Sequence, residues 1–212
     1  MKIYTEFEPV VSIIMPTYNR AGYIERAIKS VLNQTFLKWE LIIVDDGSAD
    51  NTFNLVDPFI AKNENIRYIK HSNRKTPLAT NAGLLASCGE FISFLGSDDE
   101  YKPEFLHQRV DFMHNHPEVD FIHGGVEVIG PPYVKDKNDY TKKIHLSDCA
   151  IGGTFFGKRK VFFELDGFNN LIYSDDSDFL ERVQKKFNIL KVDFPTYVYY
   201  RDTPDSICST IE

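Results

Sequence analysis

Cysteine is scarce in these 212 residues, and positive charge is outnumbered. Cys88, Cys149 and Cys208 lie far apart, with no C-x-x-C spacing. An odd, sparse set suits a reducing compartment and excludes a disulfide framework. Lys and Arg number 24 against 31 Asp and Glu, a formal net charge of −7. A phosphate backbone wants a basic stripe, so nucleic acid is not an expected partner. No stretch reaches the ~18 apolar residues of a membrane-spanning helix, so no integral membrane segment is expected. Residues 1–9 carry no apolar leader, and the expected location is the cytoplasm, free or peripheral at the membrane. Familiar signatures are missing too: nothing matches G-x-G-x-x-G, H-E-x-x-H or G-x-S-x-G. Gly152-x-x-x-x-Gly157-Lys158 approaches a P-loop. Arg159, however, stands where the hydroxyl ligand of magnesium belongs, and bulky Phe155 and Phe156 suit a strand.

What remains is ordinary globular composition, 42% hydrophobic and 26% charged. At this length one domain can bury about 70% of its unfolded surface. Val10 to Met15 forms a β-rich run expected to halt at Pro16. Ile24, Ala27, Ile28, Val31 and Leu32 then share one helical face. Glu40 to Val44 predicts a second strand, ended by Asp45-Asp46-Gly47-Ser48. Leu55, Val56, Phe59 and Ile60 predict a helix, and Ile66 to Ile69 a third strand. Leu78 to Cys88 predicts a helix ending at Gly89, Phe91 to Leu95 a fourth strand, and Pro103 a helix start. This alternation argues for a mostly parallel sheet flanked by helices, an α/β fold with a Rossmann-like first half.

The second half is less regular. Phe121 to Val128 reads as one strand or as a pair bent at Gly124-Gly125, and the polar stretch from Gly130 to Lys143 reads as a mobile loop. An apolar run at Thr154-Phe155-Phe156, a helix carrying Phe179, Leu180, Val183 and Phe187, and a strand at Tyr197 to Tyr200 follow. One domain is expected, with residues 1–102 as a donor half and 103–212 as an acceptor and catalytic-base half.

Acid gathers at the ends of these elements: Asp45-Asp46, Asp98-Asp99, and Asp175, Asp176 and Asp178. Asp favours turns and helix N-termini, so each cluster alone reads as structural. Three clusters, two of them at the strand ends where parallel sheets bind ligands, read as a site.

The motifs around them resemble family 2 glycosyltransferases. They are Val11-Ser12-Ile13-Ile14-Met15-Pro16-Thr17-Tyr18-Asn19-Arg20, Val44-Asp45-Asp46-Gly47-Ser48, Asn81-Ala82-Gly83, Phe94-Leu95-Gly96-Ser97-Asp98-Asp99, and Gly167-Phe168 followed by Asp175-Asp176. The resemblance implies a GT-A fold, a nucleoside-diphosphate-sugar donor (a UDP-sugar by preference), a divalent cation (Mn2+ or Mg2+) and inversion at the anomeric carbon. It implies a hydroxyl acceptor on a carbohydrate or lipid-linked molecule, in polysaccharide or glycolipid synthesis.

The same resemblance puts Pro16, Thr17, Tyr18, Asp46, Lys75, Ser97 and Asp98 on the nucleotide, with Arg74 an alternative to Lys75. Asp46 would accept a hydrogen bond from the base. Asp98, with Asp99 beside it, would hold the cation. Unit charges ~5 Å apart interact by roughly 3 kcal/mol at an effective dielectric of ~20, so bare carboxylates would repel a diphosphate and a cation reverses that sign. Asp176 matches the general base, with Asp175 beside it and Asp178 in a capping role. Three departures stand out: Gly96 where an Asp is common, Thr80 where an Arg is frequent, and no His after Tyr200. They motivate a rival reading, a nucleotide-sugar-binding module without turnover. A sugar nucleotidyltransferase is the other alternative, but it would want a Gly-rich basic loop where Pro16-Thr17-Tyr18 stands.

Overall fold

The computed structural model describes residues 7–203, and Cys208 lies outside the described residues. Strand β1 (Val11–Thr17) leads into helix α1 (Ile24–Leu32), β2 (Trp39–Asp45) into α2 (Thr52–Lys62), and β3 (Ile66–Lys70) into α3 (Thr76–Ala86). Strand β4 (Phe91–Phe94) passes through the short β5 (Glu100–Tyr101) to α4 (Phe105–Asn115). Then come β6 (Phe121–His123), β7 (Val126–Ile129), β8 (Tyr133–Asp136), β9 (Asp139–His145) and β10 (Phe156–Lys158). Helices α5 (Arg159–Glu164) and α6 (Asp175–Gln184) precede β11 (Ile189–Lys191) and β12 (Tyr197–Tyr200).

Seven strands form one sheet in the order β11-β6-β10-β4-β1-β2-β3. Every pairing is parallel except those of β10, which runs antiparallel to both neighbours. The alternation of β1 sorts the core into two layers. Val11, Ile13 and Met15 pack with Ile28 of α1, Val56 of α2 and Val110 of α4. Ile14 points the other way, with Leu84 of α3, Phe162 of α5 and Phe179 of α6. Helices thus cover both faces, as the near-continuous apolar strands require.

Strand β1 does not halt at Pro16 but runs through it to Thr17, with Pro16 opposite Val44. Backbone bonds of β1 alternate between its neighbours: Ile14 accepts from Leu95 beyond β4, and Thr17 accepts from Asp46 beyond β2. Pro16 shares the parity of Ile14, and β4 is paired only as far as Ile14. Its missing N–H therefore forfeits no ladder bond, which is the condition under which a strand accepts proline. Helix α3 ends at Ala86, short of Gly89, and Pro103 lies two residues ahead of α4.

The second half divides its strands between sheets. Gly124 and Gly125 take φ of +100° and +74°, which glycine adopts without cost. The bend sends β6 into the large sheet and β7 into a three-stranded sheet ordered β5-β12-β7. The buried Arg109 of α4 ties this corner together, donating to the Gly124 carbonyl at 3.1 Å and to the Thr196 hydroxyl at 2.9 Å. The stretch expected to be a mobile loop is instead the β8–β9 hairpin. Its apolar signal is confined to Val134 and Ile144, which pair across the ladder, so composition alone hides it. Gly157 and Lys158, the P-loop lookalike, lie in β10, where Gly157 packs against the Phe121 ring.

Candidate active site

Parallel strands end on one edge, so the residues following β1, β2 and β4 converge. A cavity of about 530 Å³ opens there. It is lined by Pro16, Thr17 and Tyr18 after β1, Asp46 after β2, and Ser97 and Asp98 after β4. The first turn of α3 adds Thr76 and Ala79, and β12 adds Tyr199 and Tyr200. Thr17 is buried, with its hydroxyl lacking a hydrogen-bond partner, while Tyr18 is 46% exposed. The buried Asp46 carboxylate accepts from the backbone N–H of Arg74 at 2.7 Å and of Lys75 at 2.9 Å, with His71 Nδ1 at 3.3 Å. A carboxylate has about four acceptor sites, so capacity remains for a further donor. Lys75 lies outside the cavity lining and its side chain is exposed; only its backbone enters the network.

The two aspartates after β4 have separated. Asp98 faces the cavity, 3.4 Å from the Arg20 guanidinium, and Arg26 donates to the Asp98 carbonyl. Asp99 turns inward: Tyr197 donates its hydroxyl at 2.5 Å and Tyr200 its backbone N–H at 2.9 Å. Burial, with the Asp98 carboxylate beside it, pushes the Asp99 carboxyl up to about 7. Gly96 belongs to the same arrangement, because a Cβ there would lie 2.6 Å from Asp99 Oδ2. The inward Asp99 thus occupies the space that a side chain at position 96 needs.

Among the described residues no three potential ligands cluster around a point that could hold a metal. The donor set here is a single outward carboxylate. Mg2+ and Mn2+ bind through one or two carboxylates when substrate phosphates supply further oxygens, so Asp98 fits a cation brought with a diphosphate rather than one held by the protein alone.

A second cavity, of about 220 Å³, shares Pro16, Thr76, Gly96 and Tyr199 with the first and reaches Asp175 and Asp176. Asp176 accepts from the Gly152 N–H at 3.2 Å and the Ser177 N–H at 2.7 Å. Burial raises the Asp176 carboxyl above its usual range. Asp175 is pushed up to about 7 by burial and then by the Asp176 charge. Asp178 faces elsewhere, pairing with Arg182 at 2.9 Å. The same Arg182 donates to the Leu165 and Gly167 carbonyls at 2.8 Å each, fastening the turn ahead of α6. A third cavity, about 530 Å³, meets the second at Ile151, Asp175, Asp176 and Tyr199. The three spaces adjoin through shared walls, with Asp98 lining the first, the Asp175–Asp176 pair lining the second and third, and Tyr199 lining all of them.

In the sequence Arg20 is only one residue of the Val11–Arg20 motif, and Tyr197 to Tyr200 predicts only a strand. No local signal marks these tyrosines, because β12 reaches the site by pairing with β5 next to Asp99.

The family model described as Glycosyl transferase family 2 matches residues 12–188. The Escherichia coli enzyme named UDP-Glc:alpha-D-GlcNAc-diphosphoundecaprenol beta-1,3-glucosyltransferase WfgD is 35% identical over 148 residues, 68% of this chain and 57% of its own length. The chain spans about half the length, or less, of the curated relatives it matches. Among solved structures, S. aureus TarS 1-349 in complex with UDP-GlcNAc superposes with a TM-score of 0.77 at 23% identity, covering 95% of this chain and 61% of that one. A mannosyltransferase from Pyrobaculum calidifontis in complex with GDP-Man and Mn2+ gives 0.72 at 21% identity, covering 94% and 59%. The shared fold is GT-A.

Proposed function

The chain belongs to glycosyl transferase family 2, and from that premise we propose that it transfers a sugar from a UDP-linked donor to a saccharide hydroxyl with inversion. One observation carries the reading. The cavity at the strand ends, lined by Asp46 and Asp98, shares the walls Pro16, Thr76, Gly96 and Tyr199 with a small chamber that reaches Asp175 and Asp176.

The residues divide the work as follows. Asp46 accepts a base N–H, and Tyr18 lies against the ring. The Thr17 hydroxyl, without a partner among the described residues, takes its hydrogen bond from or to the nucleotide. Pro16 and Ser97 shape the walls. The diphosphate lies beside Arg20 and Asp98, where a divalent cation held by Asp98 would neutralise leaving-group charge. Asp99 is buried and turned toward β12, where Tyr197 and Tyr200 donate to its two oxygens; it holds the Asp98 loop in place. Lys75 supports Asp46 through its backbone. Residues 1–102 form the donor half, to which β12 contributes Tyr199 and Tyr200.

Asp176 takes the acceptor proton as the acceptor oxygen bonds to the anomeric carbon and the carbon–oxygen bond to the diphosphate breaks. Holding acceptor, carboxylate and donor in one narrow chamber supplies the proximity such a displacement needs. The UDP donor is supported by the UDP complexes of TarS and by the donor in the name of WfgD. That name also supports a lipid-linked saccharide as acceptor, and polysaccharide or glycolipid synthesis as the setting.

Calorimetry with UDP in Mg2+, then assay of UDP release from a panel of UDP-sugars with saccharide acceptors, tests the proposal. Micromolar UDP binding and acceptor-dependent release that Asp176→Asn abolishes are expected. UDP binding without any release would favour the binding-module reading, and absence of UDP binding would remove the proposal altogether.

A further inference from the structure

The transferase reading names its acceptor only as a saccharide, and the inference drawn here rests on that reading. Beyond Asp175 and Asp176, the third cavity runs between the β8–β9 hairpin and α6. The hairpin is pinned as a roof. Tyr173, ahead of α6, donates its hydroxyl to the Lys135 carbonyl at 2.8 Å. The Tyr140 and Tyr173 rings meet edge-on at 5.7 Å. Lys137, near the turn of the hairpin, pairs with Glu181 of α6. About 530 Å³ of space lies beneath, within the range of sites that enclose a small organic ligand.

The walls of this space have two characters. Val134, Ile144 and Leu146 on the hairpin side face Leu180 of α6, giving an apolar surface. Acid lines the rest: Asp136, Asp148 and Glu181 join Asp175 and Asp176. Lys135 and Lys137 oppose them among the described lining residues; Lys137 and Glu181 pair with each other, which leaves Asp136, Asp148, Asp175 and Asp176 against Lys135. A sugar ring matches both characters, because its C–H face lies on aliphatic carbon and its hydroxyls donate to carboxylates. A phosphate or uronate would bring like charge into a half-enclosed acidic space, where repulsion is stronger than in bulk water.

We propose that the cleft between the β8–β9 hairpin and α6 is the acceptor site, and that it selects an uncharged sugar ring over an anionic one. Any phosphate on the acceptor lies outside the cleft, beyond the ring that receives the new linkage. The selection is set by the carboxylates of the cleft, of which Asp148 is exposed and clear of the chamber holding Asp176.

Saturation-transfer NMR on the full chain loaded with UDP and Mg2+ reads this directly. The probes are methyl glucoside, methyl galactoside, methyl N-acetylglucosaminide, methyl glucuronide and glucose 6-phosphate. At least one neutral glycoside should bind about tenfold more tightly than the glucuronide and the phosphate. Asp148→Lys should narrow that gap to about threefold or less, with UDP affinity unchanged. A glucuronide or phosphate that binds as well as the best neutral glycoside would overturn the selection. So would a gap that Asp148→Lys leaves intact. If UDP binds and no glycoside does, the cleft is not the acceptor site, whereas failure of UDP itself to bind would bring down the transferase reading beneath it.

Discussion

Asn81 and Phe168 are joined by a pair of hydrogen bonds across 87 residues of sequence: Asn81 Nδ2 donates to the Phe168 carbonyl, and Asn81 Oδ1 accepts from its N–H, each at 2.8 Å. Asn81 sits on α3, whose first turn walls the nucleotide-side cavity, and Phe168 lies in the turn that leads to α6 and its aspartates. The contact is close because Gly167, at φ +69°, has no side chain; a Cβ there would approach Asn81 Oδ1 to 2.3 Å. Two motifs far apart in sequence are thus one joint between the donor cavity and the proposed base.

Replacing Asn81 by Ala leaves a buried backbone N–H and C=O at Phe168 without their partners. Stability should fall by about 2 kcal/mol in urea unfolding. Because the joint positions α6 rather than the nucleotide, UDP affinity should hold within a few-fold while kcat drops. An equal loss in both would mean that α3 itself has shifted.

Thr17→Val removes a buried hydroxyl that has no partner among the described residues, with nearly the same shape. The variant should unfold at the same temperature as the parent or slightly higher. Its UDP affinity should fall by about 1 kcal/mol, read by calorimetry. Unchanged UDP binding would place the nucleotide away from Thr17.

The cation should depend on Asp98 and be restrained by Arg20. Asp98→Asn should abolish any gain in UDP affinity from Mn2+. Arg20→Gln, which removes the positive charge 3.4 Å from Asp98, should tighten Mn2+ binding in calorimetry. Gly96→Asp should not restore a second metal ligand, since its Cβ would collide with Asp99; it should lower the unfolding temperature instead.

Asp175 and Asp176 both have their carboxyls pushed up, Asp175 to about 7. A base must be ionised, so transfer should fall as pH drops through the range to which burial raises the Asp176 carboxyl, above the usual carboxylate range near ~4. The stability linkage has the opposite sense. A raised folded-state pKa gives stability that is complete below the unfolded value near ~4 and is lost as pH rises toward about 7. Thermal melts of Asp175→Asn should therefore gain on the parent at pH 8, gain less at pH 5, and lose the advantage below about pH 4.

Asp176→Asn keeps the shape, and its Oδ1 can still accept a backbone N–H. Donor binding should survive and transfer should fall by at least ~100-fold, as loss of a general base predicts. Transfer within a few-fold of the parent would reduce Asp176 to a fastening for the Gly152 N–H.

Local order was legible in the chain itself. Apolar runs such as Glu40 to Val44, and the helical spacing of Ile24, Ala27, Ile28 and Val31, specify elements through side-chain periodicity alone, because burial acts on each face independently. That logic also located the edge where Pro16, Asp46 and Asp98 meet, since parallel strands must end together. It failed where pairing partners decide the outcome. The polar stretch after Gly130 became a hairpin because Val134 and Ile144 find each other, and the Phe156 run became an antiparallel strand between β4 and β6. Motif order in the sequence marks Asp98 as the cation-holding residue, with Asp99 beside it. Only the tertiary structure separated them, because β12 arrives from nearly a hundred residues away and draws Asp99 inward with Tyr197 and Tyr200, leaving Asp98 to face the cavity.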